Sequence, residues 1–176
     1  MPNWIEGDLR VKGTKKELFN FLRNAIAAQN VVWSKDDDGP IVELSMPIEK
    51  YDEYGLRMFE YSVDAYLKGT RRFFIGKSYS KNISFNCDYL VDSEENEEPL
   101  VINLDFSAAW NFDDNELSEI CKEYHVDMAI YGVESGMQFI HQSTIRNDGE
   151  VIESVFKHYQ NTADFMFEVP FSNLGG

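Results

Sequence analysis

Residues 100–133 read LVINLDFSAAWNFDDNELSEICKEYHVDMAIYGV, and this stretch decides the fold because it predicts a strand, a helix and a second strand in succession. Residues 100–106 form a mostly apolar run that is typical of a buried strand. Four apolar side chains at helical spacing then predict an amphipathic helix over about 113–124: Leu117, Ile120, Cys121 and Tyr124. Asp113 and Glu116 have the spacing of a capping box at the start of this helix.

The flanking segments extend this pattern in both directions. Towards the C-terminus, residues 126–133, 136–146 and 150–155 alternate as a three-strand meander, and residues 165–169 remain open between a paired strand and a loosely packed tail. Towards the N-terminus, residues 4–12 alternate as a half-buried strand. A capping box at Thr14 and Glu17 then predicts a helix that ends near residue 28.

The middle of the chain predicts short strands at residues 31–33, 41–46, 66–75 and 78–90, with a break at Gly69, while residues 48–65 fit neither helix nor strand clearly. Residues 92–99 are too acidic to be ordered by burial and predict a mobile loop.

The order of the elements indicates an α+β fold, a mainly antiparallel sheet with two helices on one face, in the split β-α-β arrangement of ferredoxin-like folds. We expect a single domain over residues 1–170, with 48–99 either in the main sheet or forming an insertion or second lobe, and a flexible tail at 171–176.

Charge is distributed unevenly along the 176 residues, whose formal net charge is −15. Residues 1–81 carry 12 of the 31 acidic and 13 of the 16 basic side chains, so residues 82–176 hold the other 19 and 3, a net charge of −16. Such a surface repels nucleic acids and membranes and attracts basic proteins. The alternative is that the charge only maintains solubility. With no long apolar run, no secretory signal and two cysteines, we expect a cytoplasmic protein.

Three short motifs resemble the ferredoxin-like domain of small proteins encoded by phages, plasmids and other mobile elements. Residues 103–111 (NLDFSAAWN) place an Ala-Trp pair before a helix, residues 131–139 (YGVESGMQF) form the next hairpin, and residues 2–4 (PNW) precede a strand that ends at Gly13. The resemblance covers about residues 2–26 and 100–150. It implies the fold and a mobile-element origin, and suggests a type II anti-CRISPR protein.

Two clusters of charged side chains are the candidate sites. The acidic cluster lies in the 92–99 loop and on the second helix, where its carboxylates can imitate a row of phosphates or simply form a solvated face. Its members are Glu94, Glu95, Glu97, Glu98, Asp113, Asp114, Glu116, Glu119 and Glu123. The basic cluster is interleaved with aromatic residues and can bind RNA or simply pair with the protein's own acids. Its members are Lys68, Arg71, Arg72, Lys77 and Lys81.

No motif for metal, cofactor or nucleophilic chemistry is present in the sequence. His125, His141 and His158 lack ligand spacing, and Cys87 and Cys121 fit core positions better than reactive ones. Trp110 and Tyr131 suit either a stacking platform or ordinary core packing. We therefore expect no metal and no cofactor, and a binding protein rather than an enzyme.

The leading hypothesis is a phage or mobile-element inhibitor that mimics nucleic acid and occupies the basic groove of a host nucleic-acid-handling protein, most sharply a CRISPR effector nuclease. One alternative is an RNA-directed enzyme or nuclease cofactor that shortens guide RNA held by the basic cluster. Another is a plasmid or phage housekeeping protein. The sequence leaves the oligomeric state open.

Overall fold

A computed structural model describes residues 3–36, 39–45, 50–51, 57–58, 63–75 and 98–169. The helices are α1 (Lys15–Asn24), α2 (Asp114–Tyr124) and α3 (Thr162–Glu168). The strands are β1 (Trp4–Gly13), β2 (Ile26–Asp36), β3 (Gly39–Ser45), β4 (Lys50–Tyr51), β5 (Arg57–Met58), β6 (Val63–Leu67), β7 (Phe73–Ile75), β8 (Leu100–Ala109), β9 (Asp127–Glu134), β10 (Phe139–Ile145) and β11 (Val151–His158).

Within the described residues, nine strands form one sheet in the order β11-β10-β9-β1-β8-β7-β6-β2-β3. Every pair of neighbours in this sheet is antiparallel. Strands β4 and β5 form a separate two-stranded ladder. The predicted α+β fold with a mainly antiparallel sheet is therefore confirmed.

Two split β-α-β units interlock in this sheet. Because β1 is antiparallel to both β8 and β9, those two strands are parallel to each other, and α2 connects them with β1 between. Helix α1 connects β1 to β2 in the same way, but β8, β7 and β6 all lie between these strands. The ferredoxin-like assignment stays a prediction, since β7 and β6 separate β8 from β2.

The core lies between one face of the sheet and the helices α1 and α2. Ile5, Leu9 and Val11 of β1 are fully buried. Their positions differ by even numbers, so all three side chains lie on the same face of the strand. The two helices meet where the rings of Phe21 and Tyr124 pack edge to face, with centroids 6.0 Å apart. Both predicted helices therefore contribute to one core on the same face of the sheet.

Several element boundaries differ from the predictions for a physical reason. Helix α1 has its capping box, since Thr14 Oγ1 accepts from the Glu17 amide at 3.3 Å and Glu17 accepts from the Thr14 amide at 2.8 Å. It ends at Asn24 rather than near residue 28 because Ile26 already pairs with Leu67 in the sheet. The segment at 165–169 lies mostly in a third helix, α3, whose start is capped by Asn161.

Part of the segment predicted as a possible insertion belongs to the main sheet. β6 and β7, with a turn between them at Gly69 (φ +81°), join β2 to β8. The predicted 78–90 strand, residues 92–97 of the predicted loop and the 171–176 tail lie outside the described residues. In the described part of the chain, no helix is both long and apolar enough to cross a membrane.

Candidate partner-binding site on the acidic helix

Helix α2 carries described members of the acidic cluster, and local signals in the sequence mark its start and its end. The Asp113 carboxylate caps its start by accepting from the Asn115 amide at 2.8 Å. At its end, His125 takes the left-handed conformation with φ +57° and donates its amide to Cys121. The predicted capping box is wrong in its second half, because the Glu116 carboxylate binds elsewhere.

Glu116 connects α2 to the turn between β6 and β7. Its Oε2 atom accepts from the Arg71 backbone amide at 3.0 Å, across 45 positions of sequence. The acidic and basic clusters, which are separate in the sequence, are therefore neighbours in the fold. Glu116 is half-buried, so it both anchors the helix and contributes negative charge at the surface.

The outer face of α2 exposes Glu119 and Glu123, one helical turn apart. The Glu119 side chain is 74% exposed and its carboxylate lies 2.7 Å from Lys122 Nζ. An exposed ion pair of this kind contributes little to stability, and salt screens it. Glu119 and Glu123 are thus available to a partner without loss of the fold.

Asp114 has a different environment, since its side chain is only 19% exposed. Its Oδ2 atom accepts from Ser154 Oγ at 2.6 Å and lies 3.7 Å from His141 Nε2. Burial opposes ionisation, but polar contacts with His141, Ser154 and Ser143 lower the pKa of the Asp114 carboxyl below its usual value. Asp114 therefore holds α2 against β10 and β11 and is less available to a partner than Glu119 or Glu123.

Ser154 and His141 have the residue types of a nucleophile and its base, but not the hydrogen bonding of such a pair. His141 Nε2 lies 3.3 Å from Ser154 Oγ, and His141 Nδ1 lies 2.9 Å from Asn111 Oδ1. The Ser154 hydroxyl, however, donates its proton to Asp114, so His141 does not receive the hydrogen bond that would activate a nucleophile. Phe112 stacks on the buried His141 ring at 4.0 Å between centroids, which completes a structural anchor.

The described members of the basic cluster have unequal roles. Lys68 Nζ donates to the Asn24 carbonyl at 2.7 Å, where a cation favours the C-terminal end of α1. Arg71 and Arg72 are exposed in the turn that follows. Lys77 and Lys81 lie outside the described residues, as do Glu94, Glu95 and Glu97 of the acidic loop, whereas Glu98 is described and exposed.

Trp110 stands beside both clusters and is 55% exposed. Its φ of +72° is rare for a bulky residue, and its amide donates to the Asn3 carbonyl at 2.7 Å. With Arg71, Arg72, Asp113, Glu116 and neighbouring residues it lines an open concavity of about 320 Å³. The sequence suggested Trp110 as a stacking residue or as core, and its exposure favours the first interpretation.

Tyr131, the other suggested stacking residue, is only partly exposed and lies on the sheet face away from α1 and α2. Its hydroxyl is buried and forms no hydrogen bond with the described residues. Burial, with a smaller effect of Tyr159, raises the pKa of the Tyr131 hydroxyl. The structure therefore separates Tyr131 from Trp110, and the two do not form one platform.

The described residues contain no group of three or more His, Cys, Asp or Glu side chains placed to hold a metal ion. Cys121 is fully buried in α2, and burial, with a smaller contribution from Asp127, raises the pKa of its thiol to about 12. A thiol with this pKa stays protonated at neutral pH and is unreactive. His125 and His158 are exposed, and Cys87 lies outside the described residues.

No protein-family model, curated protein or solved structure matches this chain. The resemblance to the mobile-element family therefore stays a prediction.

Proposed function

We propose that this protein is an acidic phage or mobile-element protein that inhibits a host nucleic-acid-handling protein in the bacterial cytoplasm by occupying its basic RNA- or DNA-binding groove. The sequence resemblance favours a CRISPR effector nuclease as the target, which would make this an anti-CRISPR protein. One observation carries the proposal: Glu119 and Glu123 are exposed on a helix that is fixed to the sheet.

The charge of the chain supports a basic partner. Residues 82–176 carry a net charge of −16, and of their three cations Lys122 already pairs with Glu119. A surface with this charge repels phosphates and attracts grooves lined with Lys and Arg, which raises the rate of association. Two carboxylates one turn apart on a helix can meet side chains that otherwise bind successive phosphates.

The attachment of α2 supports the proposal as well, since a rigid binding element loses little entropy on association. Asp114 joins its first turn to β11, and Glu116 joins it to the β6–β7 turn. Ser118 Oγ donates to the Gly149 carbonyl at 2.6 Å, which ties its middle to the β10–β11 turn. The exposed carboxylates are therefore presented in one orientation.

Trp110 offers an apolar contact surface beside the acidic residues at the start of α2. It lies in the same concavity as Asp113 and Glu116. Tryptophan is enriched among the residues that dominate binding energy, and its truncation typically costs about 2 kcal/mol or more at such positions. We expect Trp110→Ala to weaken binding of the target about thirtyfold, because each 1.4 kcal/mol is tenfold in the dissociation constant.

The experiment is an inhibition and binding assay with a purified type II CRISPR effector nuclease. Glu119→Gln with Glu123→Gln removes two carboxylates from the outer face of α2. The matched control, Glu6→Gln with Asp105→Asn, removes two from exposed positions on β1 and β8, on the opposite face of the sheet. Both variants change the net charge equally, so only the position of the lost carboxylates differs.

We expect the α2 double variant to bind at least about tenfold more weakly and the control to bind normally, with wild-type binding weakening as salt rises. Charge reversal at Glu116, Glu119 and Glu123 should abolish inhibition. Equal inhibition by wild type and both double variants would show that Glu119 and Glu123 are not part of the binding site.

A second candidate function is an RNA-directed activity, favoured by the exposed Trp110 beside Arg71 and Arg72. Aromatic and basic side chains in one concavity can hold a base and a phosphate of single-stranded RNA. Incubation of labelled guide RNA with the protein, with and without the effector, distinguishes the two. Shortened RNA favours this candidate, and intact RNA that is no longer loaded favours the mimic.

A further inference from the structure

Strand β11 forms one end of the sheet in the described part of the chain, and all eight of its residues are exposed. Val155 is 41% and Phe156 56% exposed, so apolar side chains of this strand face solvent. We propose that β11 pairs antiparallel with β11 of a second copy about a two-fold axis through Val155, so that two sheets join into one across a homodimer.

The backbone of β11 is arranged for this pairing. The Tyr159 amide donates to the Gln138 carbonyl at 2.9 Å, and Ser143 Oγ of β10 donates to the Glu153 carbonyl at 3.1 Å. Between Glu153 and Tyr159, after a bulge at the start of β11, odd-numbered residues therefore direct their backbone groups towards β10. Because these groups alternate along a strand, Ser154 and Phe156 direct theirs away from β10, towards the outer edge.

The charges of β11 fit a single register. With Val155 on the axis, Glu153 lies opposite Lys157 of the second copy, and the symmetry repeats this ion pair on the other side. Ser154 and Phe156 then lie opposite each other and exchange the outward hydrogen bonds. Glu153 and Lys157 fall at non-hydrogen-bonded positions, where antiparallel residues are closest, with Cα atoms about 4.5 Å apart.

As far as the described residues show, both side chains can contact a second copy. Among the described residues, no cation forms an ion pair with Glu153. Lys157 contacts the Glu168 carboxylate and its Nζ atom lies 4.7 Å from the centre of the Tyr159 ring, but an ammonium group has three donors. Charges on an edge strand ordinarily oppose pairing, whereas opposite charges that meet across a two-fold axis favour it.

The test is sedimentation equilibrium of the full chain at about 150 mM salt, where a Debye length of about 8 Å screens the long-range repulsion between two acidic copies. We expect a mass of twice 20.4 kDa at high protein concentration. Val155→Glu should weaken the dimer at least about tenfold, because it places like charges opposite each other. The control Val101→Glu, at a 51% exposed position on β8, should leave it unchanged.

A mixing experiment tests the register itself. Glu153→Lys alone and Lys157→Glu alone each place like charges opposite each other, so each variant should be monomeric. An equimolar mixture of the two should recover the dimer, because every facing pair is then of opposite charge. Circular dichroism and thermal melting verify the fold of each variant, and Glu153→Lys alters no ion pair of the described chain.

A wild-type chain that stays monomeric at all concentrations would overturn the proposal, and so would a Val155→Glu chain that still dimerises. A mixture that does not associate would overturn the register. The outer carboxylates of α2 take no part in this pairing, so failure of the dimer and failure of the proposed function are separate results.

Discussion

Substitution of Asp114 by alanine should destabilise the protein, because one carboxylate joins the start of α2 to β10 and β11. The change removes the 2.6 Å hydrogen bond that Ser154 donates to the carboxylate. It also removes the carboxylate charge that lies 3.7 Å from His141 Nε2. A hydrogen bond to a charged group contributes about 1.5–3 kcal/mol, and an acidic side chain in the first turn adds about 0.5 kcal/mol through the helix dipole. We expect a loss of about 2–3 kcal/mol in the free energy of unfolding.

The assay is urea unfolding followed by circular dichroism, with thermal melting as a second measurement. For a chain of this size the loss corresponds to a decrease of about 4–12 °C in melting temperature. The control is Asp105→Ala, because Asp105 is exposed and lies directly opposite Asp8 in the β1–β8 ladder. Removing one of two facing like charges should leave the free energy of unfolding unchanged or raise it by a few tenths of a kcal/mol.

The effect of Asp114 should also depend on pH. The pKa of its carboxyl is lowered in the folded protein, so its stabilisation is fully present above the unfolded pKa of about 3.9. It is lost as the pH falls through the lower folded value, since wild type then carries a neutral side chain too. The difference between wild type and Asp114→Ala should therefore narrow below about pH 4. A loss under about 0.5 kcal/mol at pH 7 would refute the anchoring role.

Two further predictions concern the core. Gly132→Ala should cost about 1–3 kcal/mol in urea unfolding, because the added methyl would lie 2.7 Å from Ile5 and 3.0 Å from Phe106, and a neutral effect would mean that β9 can shift. In a Cys87→Ser background, Cys121 should react with a thiol reagent at pH 8 only after unfolding, since its pKa is about 12, and rapid reaction of the native protein would contradict its burial.

The sequence predicts helix α2 well because Leu117, Ile120, Cys121 and Tyr124 repeat at helical spacing, and all four are buried. Helix α1 is predicted too long. The apolar pattern continues through Ile26, and only pairing with Leu67, which is distant in sequence, turns that residue into a strand. Helix α3 is not predicted, because Phe165, Met166 and Phe167 follow one another without helical periodicity and, of these three, only Phe165 is buried.

The candidate site shows the same division between local and distant signals. Exposure of Glu119 and Glu123 follows from their place on an amphipathic helix, which the sequence contains. The contact between Glu116 and Arg71 and the burial of Asp114 beside His141 depend on strand order in a nine-stranded sheet. No local pattern encodes that order, so the sequence alone treats these acids as equivalent to the exposed ones.

The measurement that tests the proposed function most directly is competition for guide RNA. A purified CRISPR effector nuclease is mixed with labelled guide RNA and increasing amounts of the protein, and bound and intact RNA are measured at about 50 and 500 mM salt. If the protein mimics nucleic acid, we expect the RNA to stay intact and its binding to the nuclease to fall as the protein is added. We expect this competition largely to disappear at high salt. Full loading at every protein concentration and low salt would contradict it.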